Sequence, residues 1–213
     1  DRTIILVVAR KSGIPRSLNY KQPALNEPEF IARLQKGDET AFSQLVDGWK
    51  DRVFNTALGL IQHHEDAEDI TQEVFISVWK SIDEYRADAG IGTWLYRITV
   101  SRSLDLIRKK KARKRFAFLK LIWRSEPELE EIPDFIHPGV QLERKQDAAA
   151  LFAAVRKLPD QQRIAYSLQK VEGLPYTEIA LILETTVPAV ESLLQRAKQN
   201  LRKSLATYYG KNI

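Results

Sequence analysis

Three groups of residues have types and spacings suited to recognition rather than to bond breaking. In the first, Asp66, Asp69, Gln72 and Glu73 recur at helical steps. They fall on one face of a helix, with Ile70, Val74 and Val78 on another. Such a polar-acidic face is either simply solvated or a docking surface for a basic partner helix. The second group is the string Gly92-Thr93-Trp94-Leu95-Tyr96-Arg97-Ile98, which leads into Arg108-Lys109-Lys110-Lys111 and Arg113-Lys114-Arg115. Aromatic rings interleaved with cations can stack on unpaired bases and hold the phosphate backbone at once. In the third, Val190, Leu194 and Ala197 point inward from a helix, so Pro188, Glu191, Ser192, Gln195, Arg196 and Gln199 point outward. Lys198, Arg202 and Lys203 follow for backbone contacts, and Thr186 can cap the helix start, where free N–H groups suit a phosphate.

Catalytic and metal-binding patterns are missing. No nucleophile–base triad, glycine-rich phosphate loop or nucleotide fingerprint occurs. There is no Cys, hence no disulfide and no thiolate zinc site. His63 and His64 stand near Asp66 and Asp69 without standard ligand spacing, so they read as a solvated helix end. The expectation is a protein that is not an enzyme and takes no cofactor or metal.

The elements that must position these residues are helical. Phe30, Ile31 and Leu34 form a short amphipathic turn, broken at Gly37-Asp38. Phe42, Leu45, Val46, Trp49, Val53, Phe54, Ala57, Leu58 and Ile61 then make an apolar stripe that stops at His63-His64. Asp66 suits the N-cap of the next helix, which buries Ile70, Val74, Phe75, Val78, Trp79 and Ile82. A loop from Tyr85 to Gly92 follows, and Thr93 can cap a third long helix. Residues 118–140 carry Pro127, Pro133, Pro138 and a run of acids, which reads as a linker. Beyond it lie helices over about 141–157, from Pro159-Asp160 to a glycine stop at Gly173, over Tyr176–Leu183, and from Val187 to about Tyr208. Short helix, tight turn, longer helix is the helix-turn-helix plan, whose second helix fits a major groove. The architecture expected is all-α, with two helical domains at 28–117 and 141–208 joined by a flexible linker. An unassigned arm (1–27) and a short tail (209–213) flank them.

Bulk composition agrees. The sequence of 213 residues is 44% hydrophobic, enough for one or two helical cores, and its +5 net charge suits a nucleic-acid partner. The longest apolar run, Thr3 to Ala9, is far short of the roughly 20 residues a bilayer needs. Arg10 and Lys11 follow that run, the wrong order for a signal peptide. An integral membrane protein is not expected.

The run DAEDITQEVFISVWKSI, then GTWLYRI, then a Leu-Asp-x-x-Arg-Lys helix resembles the second conserved region of bacterial RNA polymerase sigma factors. The C-terminal LPDQQRIAYSLQKVEGLPYTEIALIL and VPAVESLLQRAKQNLRK resemble the fourth. The two stretches cover about 28–116 and 142–206 in the family's order, in the compact extracytoplasmic-function pattern. The resemblance implies a cytoplasmic initiation factor. Asp66, Asp69, Gln72 and Glu73 would bind the β′ clamp helices of core polymerase, with the β flap a second contact. The loop that begins at Tyr85 would capture a flipped base of the −10 element. Trp94, Arg97, Ser101, Asp105 and Arg108 would approach the melted strand. Thr186, Pro188, Glu191, Ser192, Gln195, Arg196 and Lys198 would face the −35 duplex. An anti-sigma factor is an implied partner. Two positions depart from the family pattern. Ser101 stands where many members have Asn, and Pro175 replaces a capping Ser. From the residues alone, a dimeric transcription regulator and a helical adaptor that does not bind DNA also stay open.

Overall fold

The computed structural model describes residues 27–122 and 142–209. The expected N-terminal arm up to residue 26, most of the linker and the last four residues lie outside the described residues. Within them all regular structure is helical. The N-terminal half holds α1 (Glu27–Gln35), α2 (Glu39–Ile61), α3 (His64–Ser81), a 3₁₀ turn (Ile82–Glu84) and α4 (Ile91–Ile122). The C-terminal half holds α5 (Leu142–Arg156), α6 (Asp160–Lys170), α7 (Tyr176–Ile182) and α8 (Val187–Tyr209).

Helix ends explain most of the local geometry. Asp38 caps α2, its carboxylate accepting from the N–H groups of Thr40 at 2.9 Å and Ala41 at 3.1 Å. Arg33 of α1 pairs with the same carboxylate at 2.8 Å, which fixes the turn between α1 and α2. Together with the Thr40 hydroxyl, these donors hold Asp38 well below the usual carboxylate range. α2 stops at Ile61, ahead of the two histidines, because Gln62 adopts a left-handed φ of 59°. The Gln62 amide is buried and donates to the Phe152 carbonyl at 3.0 Å.

Two expected caps are corrected. α3 starts at His64, and its cap is His63, whose Nδ1 accepts from the Asp66 N–H at 3.3 Å. Asp66 therefore lies inside the first turn, where a negative charge suits the helix dipole. α4 starts at Ile91, two residues ahead of Thr93. The acceptor for the Ile91 N–H comes from α1, through Glu27 Oε1 at 3.2 Å, a long-range cap that no local pattern encodes. α4 also runs on to Ile122, past the expected end of the first domain.

The C-terminal half follows the helix-turn-helix plan. After α6, Gly173 takes a φ of 69° and the Leu174 N–H closes onto the Leu168 carbonyl at 3.2 Å, the left-handed glycine closure expected there. Pro175 precedes α7 and makes no side-chain cap. Between α7 and α8 the chain turns through Glu184 at a φ of 52°, and Thr186 Oγ accepts from the Ala189 N–H at 3.4 Å.

Two apolar cores result. One lies wholly in the N-terminal half and includes Leu34, Leu45, Val53, Ile70, Val74, Val78 and Leu95. The other crosses between the halves. Leu60, Tyr96, Val100 and Leu104 pack with Leu158, Ile164, Leu168, Ile179 and Leu194. The two helical domains are therefore joined by burial as well as by chain. Trp79, expected on the buried side of α3, is 41% exposed and stands edge-on to Phe42 at 4.7 Å. It sits one step round the helix from the fully buried Val78.

Candidate nucleic-acid interface

The polar face of α3 forms as its spacing requires. Asp69, Gln72 and Glu73 are exposed side by side, and the face continues through exposed Ile76 and Trp79. Asp66 does not share that freedom. It is half-buried and pairs with Lys110, so it ties α3 to α4.

Next to this face is the loop between the 3₁₀ turn and α4. The Tyr85 and Trp94 rings lie 5.0 Å apart, and the Tyr85 hydroxyl donates to the Ala89 carbonyl. Burial, with the nearby Glu27 and Asp88 charges, pushes the Tyr85 phenol up. Arg86, Ala87 and Asp88 are exposed at the tip, and Ala87 has a φ of 56°. The close approach that lets the chain leave this loop is set at Gly92. A Cβ there would come within 2.2 Å of Trp49.

Along α4, Arg97, Ser101, Asp105 and Arg108 form one stripe. Ser101, Asp105 and Arg108 are exposed, with Arg108 3.3 Å from Asp105, and the exposed cations Lys109 to Arg115 extend the stripe. Arg97 is held differently. Its guanidinium donates to the Leu181 carbonyl of α7 at 2.7 and 3.2 Å and lies 3.8 Å from the Glu184 carboxylate. One end of the stripe is thus covered by the C-terminal half. Beside it, Tyr96 donates its hydroxyl to Glu172 at 3.0 Å. Burial raises the Glu172 carboxyl to about 7, against the opposing Tyr96 hydrogen bond and the Arg52 charge. Burial also raises the Tyr96 phenol. A further cross-link joins Lys111 to Asp160 at 3.7 Å. Glu172 carries no signal in the sequence, and the partners of Tyr96 and Gly92 (Glu172 and Trp49) are not legible there because they are distant in the chain.

On α8, Pro188, Glu191, Gln195, Arg196 and Lys198 are exposed, and Ser192 is half-exposed. Ser192 Oγ accepts from Arg196 at 2.7 and 3.2 Å, so these two side chains present one joint surface. Thr186 is exposed at the helix start. Among the described residues no group of three or more His, Asp or Glu side chains is placed to hold a metal, and no helix is long and apolar enough to cross a membrane.

A helix bundle with an exposed polar face and a largely cationic helix, coupled to a helix-turn-helix, is the arrangement of a two-domain DNA-reading factor. Known proteins agree. Residues 45–113 match the Sigma-70 region 2 family, and residues 148–201 match Sigma-70 region 4. The ECF RNA polymerase sigma factor SigW of Bacillus subtilis is 31% identical over 179 residues, covering 82% of this chain and 94% of SigW. The ECF RNA polymerase sigma-E factor of Escherichia coli K12 is 30% identical, covering 82% of this chain and 92% of that one. Among solved structures, CnrH in complex with the cytosolic domain of CnrY superposes with a TM-score of 0.62 at 22% identity, over 85% of this chain and 97% of the other. The sigma factor RpoE of Bartonella quintana, in complex with the anti-sigma factor NepR, gives 0.60 over 77% and 96%. The chain belongs to the ECF RNA polymerase sigma factors.

Proposed function

We propose a division of labour for this sigma factor among three surfaces. Asp69, Gln72 and Glu73 dock the chain on the clamp helices of core polymerase, and Asp66 supports that face through its pair with Lys110. Tyr85, Trp94 and the loop between them capture a base of the −10 element, while Ser101, Asp105, Arg108 and, once released from Leu181, Arg97 track the melted strand. Thr186, Pro188, Glu191, Ser192, Gln195, Arg196 and Lys198 meet the −35 duplex, where the Glu191 carboxylate can accept from a cytosine amino group. Protein and promoter do no bond chemistry on each other. The chain positions polymerase, in the cytoplasm where that enzyme works. By analogy with RpoE of Bartonella quintana, solved in complex with the anti-sigma factor NepR, its activity is restrained by an anti-sigma factor.

The observation that carries this reading is that Asp69, Gln72 and Glu73 on α3 and Ser101, Asp105 and Arg108 on α4 are exposed on two different helices of one helical domain. The two jobs therefore do not compete for the same side chains. Purified protein added to core polymerase is expected to start transcription at a promoter with defined −35 and −10 elements, where core enzyme alone does not. Replacing both Gln72 and Glu73 with Ala should weaken polymerase binding about tenfold, the worth of one or two interface hydrogen bonds. Binding to an isolated −35 duplex should stay the same. Failure to assemble a holoenzyme at any salt concentration would refute the reading. Equal loss of both activities would make Gln72 and Glu73 structural.

A further inference from the structure

We infer that Gln35 and Glu27, at opposite ends of α1, are positioning residues for the base-reading loop and set how sharply the protein discriminates at the −10 element. The inference rests on the reading of that loop given above. It concerns a helix that lies ahead of the matched region 2 segment, which begins at residue 45.

The loop from Tyr85 to Gly90 is exposed at its tip and contains a non-glycine residue, Ala87, in the left-handed region. A short exposed loop keeps such a conformation only if its surroundings hold it. α1 grips both ends. The Gln35 carboxamide nitrogen donates to the carbonyls of Ile82 and Tyr85, each at 3.3 Å, and so brackets the 3₁₀ turn where the loop begins. Glu27 Oε1 accepts the Ile91 N–H at 3.2 Å where the loop ends, and lies 3.6 Å from where a Cβ on Gly90 would stand. Eight positions of helix separate the two side chains, about 12 Å of rise, so one rigid element reaches both ends of the loop. α1 is itself fixed, through buried Ile31 and Leu34 and through the Arg33–Asp38 pair.

The loop is thus pre-set before DNA arrives. A base edge is discriminated only if the groups facing it stay aligned, whereas phosphate attraction tolerates misalignment. Loosening an anchor should therefore blunt base choice and leave strand affinity, which rests on the α4 cations, nearly unchanged.

The test uses the full chain reconstituted with core polymerase, with run-off transcription from promoters permuted one base at a time through the −10 element. Gln35→Ala and Glu27→Ala are each expected to lower the preferred-to-disfavoured ratio at one −10 position by about fivefold, the worth of one net hydrogen bond. Glu27→Gln, which keeps an acceptor oxygen, should behave like the parent. Binding to a −35 duplex reports on folding and should not change. The loop-tip variants Arg86→Ala and Asp88→Ala separate the two ideas. If they alter base preference and the α1 variants do not, the inference is overturned and the loop reading stands. If neither set does, the loop reading fails and the inference with it. A shift from the α1 variants alone supports the inference, with the loop reading through its backbone. A uniform fall at every −10 position together with lost −35 binding would overturn it in favour of general destabilisation.

Discussion

Raising the pH from 5 to 8 should lower the unfolding free energy of this protein, and Glu172→Gln should remove most of that dependence. The Glu172 carboxyl is raised from 4.5 to about 7 by burial between the two halves. A raised carboxyl means the folded protein holds a proton that the unfolded chain has given up. The associated stability is complete below about 4.5 and is lost as the pH rises through about 7. The shift corresponds to at most about 3 kcal/mol, since one pKa unit is about 1.4 kcal/mol. Glutamine keeps the shape and can still hydrogen-bond the Tyr96 hydroxyl, so the variant should fold with a nearly flat profile in this window. Comparing parent and variant by thermal unfolding at each pH cancels every other titrating group. Parallel profiles would show that Glu172 meets water in the folded state.

The second large effect is expected at Gly92. Alanine would put its Cβ 2.2 Å from Cη2 and 2.8 Å from Cζ2 of Trp49. The indole cannot simply swing aside. The Tyr96 ring stands edge-on to it at 5.8 Å, and the Arg52 guanidinium lies over it at 5.1 Å. Alanine in a helix gains about 1 kcal/mol over glycine, and overpacking a filled site costs about 1–3 kcal/mol. At so short a separation the cost should dominate, leaving a net loss of about 1–2 kcal/mol. The guanidinium chloride midpoint should fall with its slope unchanged. Adding Trp49→Leu should restore much of the loss, which a double-mutant cycle would register as strong coupling. A neutral or stabilised Gly92→Ala would mean that the ring moves freely.

The sequence is most legible where a pattern is local and repeated. The stripes of α2, α3 and α8 are periodic, and the outward residues of α8 follow once Val190, Leu194 and Ala197 point in. The turn at Gly173 was legible because left-handed closure favours glycine. Caps were legible only when the partner was close. Thr186 is a common capping type and is legible, whereas the His63 imidazole is an uncommon cap acceptor and Glu27 lies 64 positions from Ile91. The polar face of α3 was read correctly as a face. That Asp66 is tied down by Lys110 was not legible, because the contact spans 44 positions. The core shared by Tyr96 and Val100 with the C-terminal half was equally hidden. Both are apolar side chains on α4, and their type does not say what covers them.

The contact of Arg97 with α7 has a consequence for the rate of promoter engagement. Its Nε–Nη2 edge is occupied by the Leu181 carbonyl and the Glu184 carboxylate stands by Nη1, so a phosphate seeking that bidentate edge would have to displace α7. If Arg97 tracks the −10 strand as proposed, capture along the whole α4 stripe should wait on a step in which the halves separate. On that reading only the separated fraction is competent, so each 1.4 kcal/mol of packing between the halves should weaken the apparent promoter affinity about tenfold. With increasing DNA, the observed association rate should level off at the rate of separation. A partner that holds the halves apart would then raise the competent fraction, and so quicken promoter capture without touching a base.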